Sequence, residues 1–271
     1  MSYLEQALGD ESALPGPQGM RLDRAALDLA TIEFPGLDPA PWLSKMDALA
    51  SRLGDRIRNF NDGRCFVEAA RDYLFGELGF HGNEEDYFNP RNSCLNEVLA
   101  QRTGIPISLS VFYMEISRRL AMPVFGVNLP RHFILQYDDG NYSAYIDPFH
   151  GGRIISAAEC YRIAGAPIPD PVLLRRASKR QIIVRMLVNL HGIYMRAQDW
   201  ERSVRVLDLL IVAGAGSELY KQRGLLYRKL GRFHAARLDL ERYLALEPAA
   251  ADREDIVKQL EAIHRARARL N

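Results

Sequence analysis

The sequence predicts an α+β fold that ends in an all-helical array, and three observations support this. Helical periodicity fills most of residues 21–120, the period changes to that of strands between Pro123 and Asp147, and from Ser178 onward helices return with a 33-residue internal repeat. With 271 residues, 48% of them hydrophobic and 25% charged, the chain can bury a sizeable core as one large domain or two modest ones.

The elements follow in order. Residues 1–20 are acidic and interrupted by Pro and Gly, and read as a flexible arm without the basic start and apolar stretch of a secretory signal. From Arg21 two amphipathic helices are parted by the breaker PGLDPAP, with Asp38 placed to cap the second; another helix follows over Cys65–Leu78. Asn92 or Ser93 can cap a helix running to about Arg102, which Gly104 ends and after which Pro106 opens the next. That next helix, Ile107–Leu120, is apolar over most of its circumference, as a central buried helix is.

After Pro123 come VFGVN, HFILQY and YSAYID, short runs rich in β-branched and aromatic residues, the last two separated by the hairpin signal DDGN. They predict a small antiparallel sheet with the long helix packed on it. Residues 150–180 are loop-rich. In the repeat, Tyr194 aligns with Tyr227, Trp200 with Phe233 and Ser203 with Ala236. The second copy resembles a tetratricopeptide repeat in the spacing of Gly224, Tyr227, Gly231, Ala236 and Pro248. The expected organisation is an arm over 1–20, an α+β domain over 21–165 and a helical region over 178–271.

Several function classes are disfavoured. Lys and Arg (35) nearly balance Asp and Glu (34), so no global field attracts nucleic acid, and no apolar run approaches the length of a membrane span. Three cysteines, 65, 94 and 160, lack CxxC spacing, which argues against a disulfide framework or structural zinc and for a cytoplasmic protein. His150-Gly151-Gly152 has no lysine to complete a phosphate loop, and His191 and His234 lack ligand partners at helical spacing, so neither a cofactor nor a metal is expected.

The chemistry-bearing residues lie between Phe88 and Asp147. If the hairpin turns at Asp139 and Gly140, His132 and Asp147 stand opposite each other and their side chains can meet. Such a pair either ties the hairpin together or orients a catalytic imidazole. Cys94, near the start of its helix, is a candidate nucleophile through the helix dipole, or else a small buried hydrophobe.

The segment GIPISLSVFYMEISRRL, followed by GVN, HF and IDPF and then by NLHGIY through DLERYLALEP, resembles the SirB family, bacterial proteins with a transglutaminase-like core followed by tetratricopeptide-type helices. The resemblance covers roughly residues 25–265. It implies a papain-like fold with His132 and Asp147 as the last two members of a Cys-His-Asp triad, and a nucleophile between Pro106 and Ser110. That stretch holds no Cys, only the hydroxyls of Ser108 and Ser110. Arg131 stands where the family favours a small residue, often Gly. Three functions stay open: a non-catalytic protein binding a protein or peptide partner through its cleft or a helical groove near Arg223 and Tyr227, a hydrolase or acyltransferase acting on peptide or amide bonds with Cys94 or a serine as nucleophile, or a purely structural assembly subunit. The sequence does not set the oligomeric state.

Overall fold

The computed structural model of the chain describes residues 2–9, 20–58, 62–166, 168–214 and 216–268, and divides into two compact units, Met1–Met186 and Leu187–Asn271. The first unit opens with helix α1, Tyr3–Gly9, where a loose arm was expected. Leu4, Ala7 and Leu8 are buried, and the helix is tied down by the Leu4 N–H donating to Asp28 (2.8 Å) and the Arg21 N–H donating to the Tyr3 hydroxyl oxygen (2.7 Å). Residues 10–19 of that expected arm lie outside the described residues.

Helices α2, Leu22–Ala30, and α3, Ala40–Ile57, flank the predicted breaker; Pro39 takes the N-cap position expected of Asp38, which lies one residue earlier and accepts from the Ala40 N–H at 3.0 Å. The expected helix over Cys65–Leu78 is present as α4, Gly63–Ala70, running into a π-helical turn over Arg71–Glu77. A two-residue parallel ladder joins β1, His81–Gly82, to β2, Thr103–Gly104. Between them α5, Leu95–Gln101, has Cys94 at its N-cap; Asn92 and Ser93 lie in the preceding 3-10 turn, Pro90–Ser93, so neither caps it as expected. The carbonyl and side chain of Asn92 are instead engaged by Ser108, Asn83 and Asp86.

Helix α6, Pro106–Arg119, starts at the predicted proline and is the central helix: eleven of its fourteen residues are buried. Its far end carries a buried ion cluster. The Arg119 guanidinium donates to Asp23 (2.7 Å) and sits 3.3 Å from Glu115, while Arg21 reaches Asp23 (2.6 Å) and Arg118 reaches Glu115 (2.7 Å). Burial would raise the Asp23 carboxyl, but hydrogen bonds from Arg21 and Arg119 hold it below its ordinary value. Glu115 is pushed up, first by burial and then by the charge of Asp23.

The predicted sheet follows as a four-stranded antiparallel meander in sequential order: β3, Val124–Val127; β4, Ile134–Asp138; β5, Ser143–Asp147; and β6, Arg153–Ile155. Tyr137 faces Phe66 of α4 (ring centroids 5.6 Å). Ile134, Val127 and Ile155 form a separate core with Leu129 and Cys160 of α7, Ala157–Ile163. The sheet is thus covered on both faces. Strand β6 is an addition to the predicted three, since Arg153-Ile154-Ile155 is too short to show alternation.

The second unit contains the later part of α8, Lys179–Ala197, then α9, Trp200–Val212; α10, Glu218–Lys229; α11, Phe233–Leu246; and α12, Arg253–Ala268. Ser203 and Ala236, aligned by the repeat, are both fully buried. A side chain at Gly224 would come within 3.2 Å of the Ala236 carbonyl, which explains the small residues where α10 and α11 pack. Around them Leu240, Tyr243, Ile256 and Ile263 form a core with Tyr220, Tyr227 and Phe233 packed against it.

Candidate functional site

His132 and Asp147 do meet, though by a different register from the one expected. Strands β4 and β5 pair Leu135 with Ile146 and Asp138 with Ser143, so the turn is centred on Gly140 and Asn141. Asp139 selects it: its carboxylate accepts from the Asn141 and Tyr142 N–H groups, both at 2.8 Å, and Gly140 takes φ +89°. Pairing is displaced by two residues, which preserves side-chain parity, so His132 and Asp147 stay on a common face.

His132 itself lies just before β4, in a turn closed by its N–H donating to the Leu129 carbonyl (3.3 Å). Pro130 and Arg131 are the central residues of that turn, and Arg131 has φ 60°, a conformation that favours glycine. The small residue implied by the family resemblance therefore has a backbone cause. Arg131 is exposed.

Asp147 is fully buried and bonded to two imidazoles: Nε2 of His132 at 3.0 Å on Oδ1, and Nδ1 of His150 at 2.7 Å on Oδ2. Arg153 stands 3.6 Å from Oδ2. Burial alone would raise this carboxyl, but hydrogen bonds and positive charge from His132 and His150 bring it down to about 2. An ionised carboxylate only accepts, so each facing nitrogen carries its proton and the remaining nitrogens, Nδ1 of His132 and Nε2 of His150, are left for other partners.

The tight turn after β5 brings His150 into place. Gly151 and Gly152 both take positive φ, and the Gly152 N–H donates to the Asp147 carbonyl at 2.9 Å, folding the chain back so that Asp147 also pairs with Arg153. From the sequence His150 was weighed only as part of a phosphate loop and no metal site was expected; the His132, Asp147 and His150 donor atoms all lie within 4.8 Å of one another. Its signal was the DPFHGG turn, which returns the third residue after Asp147 toward it. Phe149 was missed as well. Its ring meets His132 edge-on (6.3 Å) and Tyr87 (5.9 Å), and a side chain at Gly82 would lie 2.5 Å from it.

The three candidate nucleophiles are engaged elsewhere. The Ser108 hydroxyl donates to the Asn92 carbonyl (2.6 Å) and accepts from the Ile105 N–H (3.0 Å), capping α6 and stitching it to the preceding turn. Ser110 donates to the Pro106 carbonyl one turn back (2.7 Å). Cys94 is fully buried with its sulfur 3.7 Å from the Pro90 carbonyl, and burial, then Glu33 and Glu97, drive its thiol far above the ordinary range, against the depression expected from the helix dipole. Among the described residues His132 hydrogen-bonds through its ring to Asp147 alone.

In the second unit Arg223 is half-buried and held by three charge-assisted bonds, to Asp239 (2.7 and 2.8 Å) and Asp208 (2.7 Å). Its guanidinium lies over the Tyr220 and Tyr227 rings at 5.8 and 5.7 Å. Arg223 therefore organises this face through α9, α10 and α11.

A His-Asp pair on an antiparallel sheet with a central helix, in a chain that continues into repeated helical hairpins, defines the class: a transglutaminase-like core with tetratricopeptide-type helices. Residues 40–188 match the model of the transglutaminase-like superfamily, and residues 190–261 match a tetratricopeptide repeat. A UPF0162 protein of Xylella fastidiosa is 37% identical over 251 residues, covering 89% of this chain and 86% of that protein; one of Pseudomonas aeruginosa is 31% identical over 233 residues, covering 83% and 84%. The chain belongs to the transglutaminase-like superfamily and to its UPF0162 proteins. Human F-box only protein 21 is 35% identical over 132 residues, 46% of this chain and 21% of that protein. No solved structure matches the chain. Among the described residues no helix is long and apolar enough to cross a membrane.

Proposed function

We propose that this is a SirB-type, non-catalytic member of the superfamily, a cytoplasmic pseudoenzyme that binds a protein or peptide partner. The observation that carries the reading is the state of the nucleophile position. Ser108 and Ser110 are hydrogen-bonded to backbone carbonyls, Cys94 is buried with a raised thiol, and none of them bonds His132. An imidazole with no hydroxyl or thiol to deprotonate has no acyl-transfer step to begin. The tetratricopeptide match supports a peptide-binding surface, near Tyr227 with Arg223 as its organiser.

A Cys- or Ser-dependent hydrolase or acyltransferase is the second reading, favoured by the intact His132–Asp147 bond, with His132 as base and Asp147 as its orienter. Thiol- and serine-directed electrophiles separate the two. We expect the half-buried Cys65 alone to label in the folded protein, equally in wild type and His132→Ala. Labelling of Cys94, Ser108 or Ser110 that disappears in His132→Ala would establish catalysis instead. The binding half is tested by cross-linking partners in cell extract to the wild type and to Tyr227→Ala; equal recovery from both removes the proposed groove.

A further inference from the structure

We propose that His132, Asp147 and His150 form a binding site for a zinc-class divalent cation, one that stands whether or not the protein is catalytic. The donor set is two imidazoles and one carboxylate, which suits zinc, cobalt or nickel and selects against the all-oxygen preferences of calcium and magnesium. Three protein ligands leave at least one coordination position for water.

The distances are close to what a tetrahedral ion demands. With metal–ligand bonds of about 2.0–2.1 Å, neighbouring donors stand about 3.3 Å apart. Here His132 Nε2 lies 3.0 Å from Asp147 Oδ1 and His150 Nδ1 2.7 Å from Oδ2, so the carboxylate spans the two rings and meets the ion with both oxygens, and each of these gaps has to widen by only a few tenths of an ångström. The two nitrogens lie within 4.8 Å of each other, and His150, whose side chain is 44% exposed, is the ligand with room to close the remainder. The cation takes the place of the two protons that bridge imidazole and carboxylate, and each neutral ring carries its proton on the opposite nitrogen.

Arg153 is the competitor. It lies 3.6 Å from Asp147 Oδ2, and its charge opposes a second cation there. It also contacts Glu159 at 3.2 Å and is nearly half exposed, so it can leave Asp147 without losing its ion pair. Removing Arg153 therefore strengthens metal binding, which a chance association of zinc with surface histidines would not show.

The test is calorimetric titration of the chelator-stripped full chain with ZnCl2, paired with the visible spectrum of the Co2+ form. We expect one ion per chain and an intense cobalt spectrum of low coordination number. His150→Ala, at a partly exposed position, keeps the circular dichroism of the wild type and weakens binding by at least about 100-fold. Arg153→Met tightens it several-fold. Zinc binding that His150→Ala leaves unchanged, or that Arg153→Met does not strengthen, overturns the assignment, as does failure to bind zinc at all.

Discussion

Replacing Asp147 by Asn tests whether the carboxylate is the electrostatic centre of the hairpin. The side chain is fully buried, and its carboxyl is brought from 3.8 to about 2 by two imidazoles. That depression corresponds to about 2 kcal/mol of stability at neutral pH. Because the folded value is the lower one, the contribution is full well above 3.8, falls to about 1 kcal/mol near pH 3, and vanishes as pH drops through about 2. Asp147→Asn should therefore cost about 2 kcal/mol at pH 7, with the gap to wild type closing in acid. Urea unfolding with chelator present, in a Trp200→Phe background that leaves Trp42 to report on the first unit, measures this directly. A gap that stays constant between pH 7 and pH 3, or widens, would refute the electrostatic account.

Other substitutions bear on particular elements. Arg131→Gly should stabilise the first unit by about 1 kcal/mol, because φ 60° strains any side chain there; a fall in the melting temperature would contradict this. Asp23→Asn should cost about 3 kcal/mol by leaving the Arg119 guanidinium buried with less compensation, whereas Glu115→Gln, at a carboxyl already pushed up, should be close to neutral; urea midpoints of the two variants decide the order. Arg223→Lys should destabilise the second unit by about 2 kcal/mol, since an ammonium cannot make the paired bonds to Asp239 and reach Asp208 as well; Trp200 fluorescence in a Trp42→Phe background reads it.

The parts of this fold legible in the sequence are those carried by period and by Gly and Pro. The α6 start at Pro106, its burial, the three principal strands and the repeat all follow from local pattern. What escaped depends on contacts remote in sequence or on choices among near-equal local geometries. DDGN permits a turn at either of two centres, and the Asp139 carboxylate decides between them. Asn92 looked like a helix cap, but Ser108, sixteen residues on, takes its carbonyl. Cys94 at a helix start suggested an activated thiol, yet burial outweighs the dipole of a seven-residue helix. The candidate site was half visible: His132 and Asp147 from hairpin logic, His150 hidden in a turn whose reversal depends on two positive-φ glycines.

Among the described residues, the side chains that bond Asp147 are drawn from one contiguous stretch, from the turn at Leu129 through β4 and β5 to Arg153. In native-state hydrogen exchange, amides from residues 129 to 153 should consequently open as one cooperative block, with Asp147 as its latch. Occupancy of the site would then be visible at every protected amide of that block, including those near the Gly140–Asn141 tip, far from the ligand in chain contacts but joined to it by the same ladder.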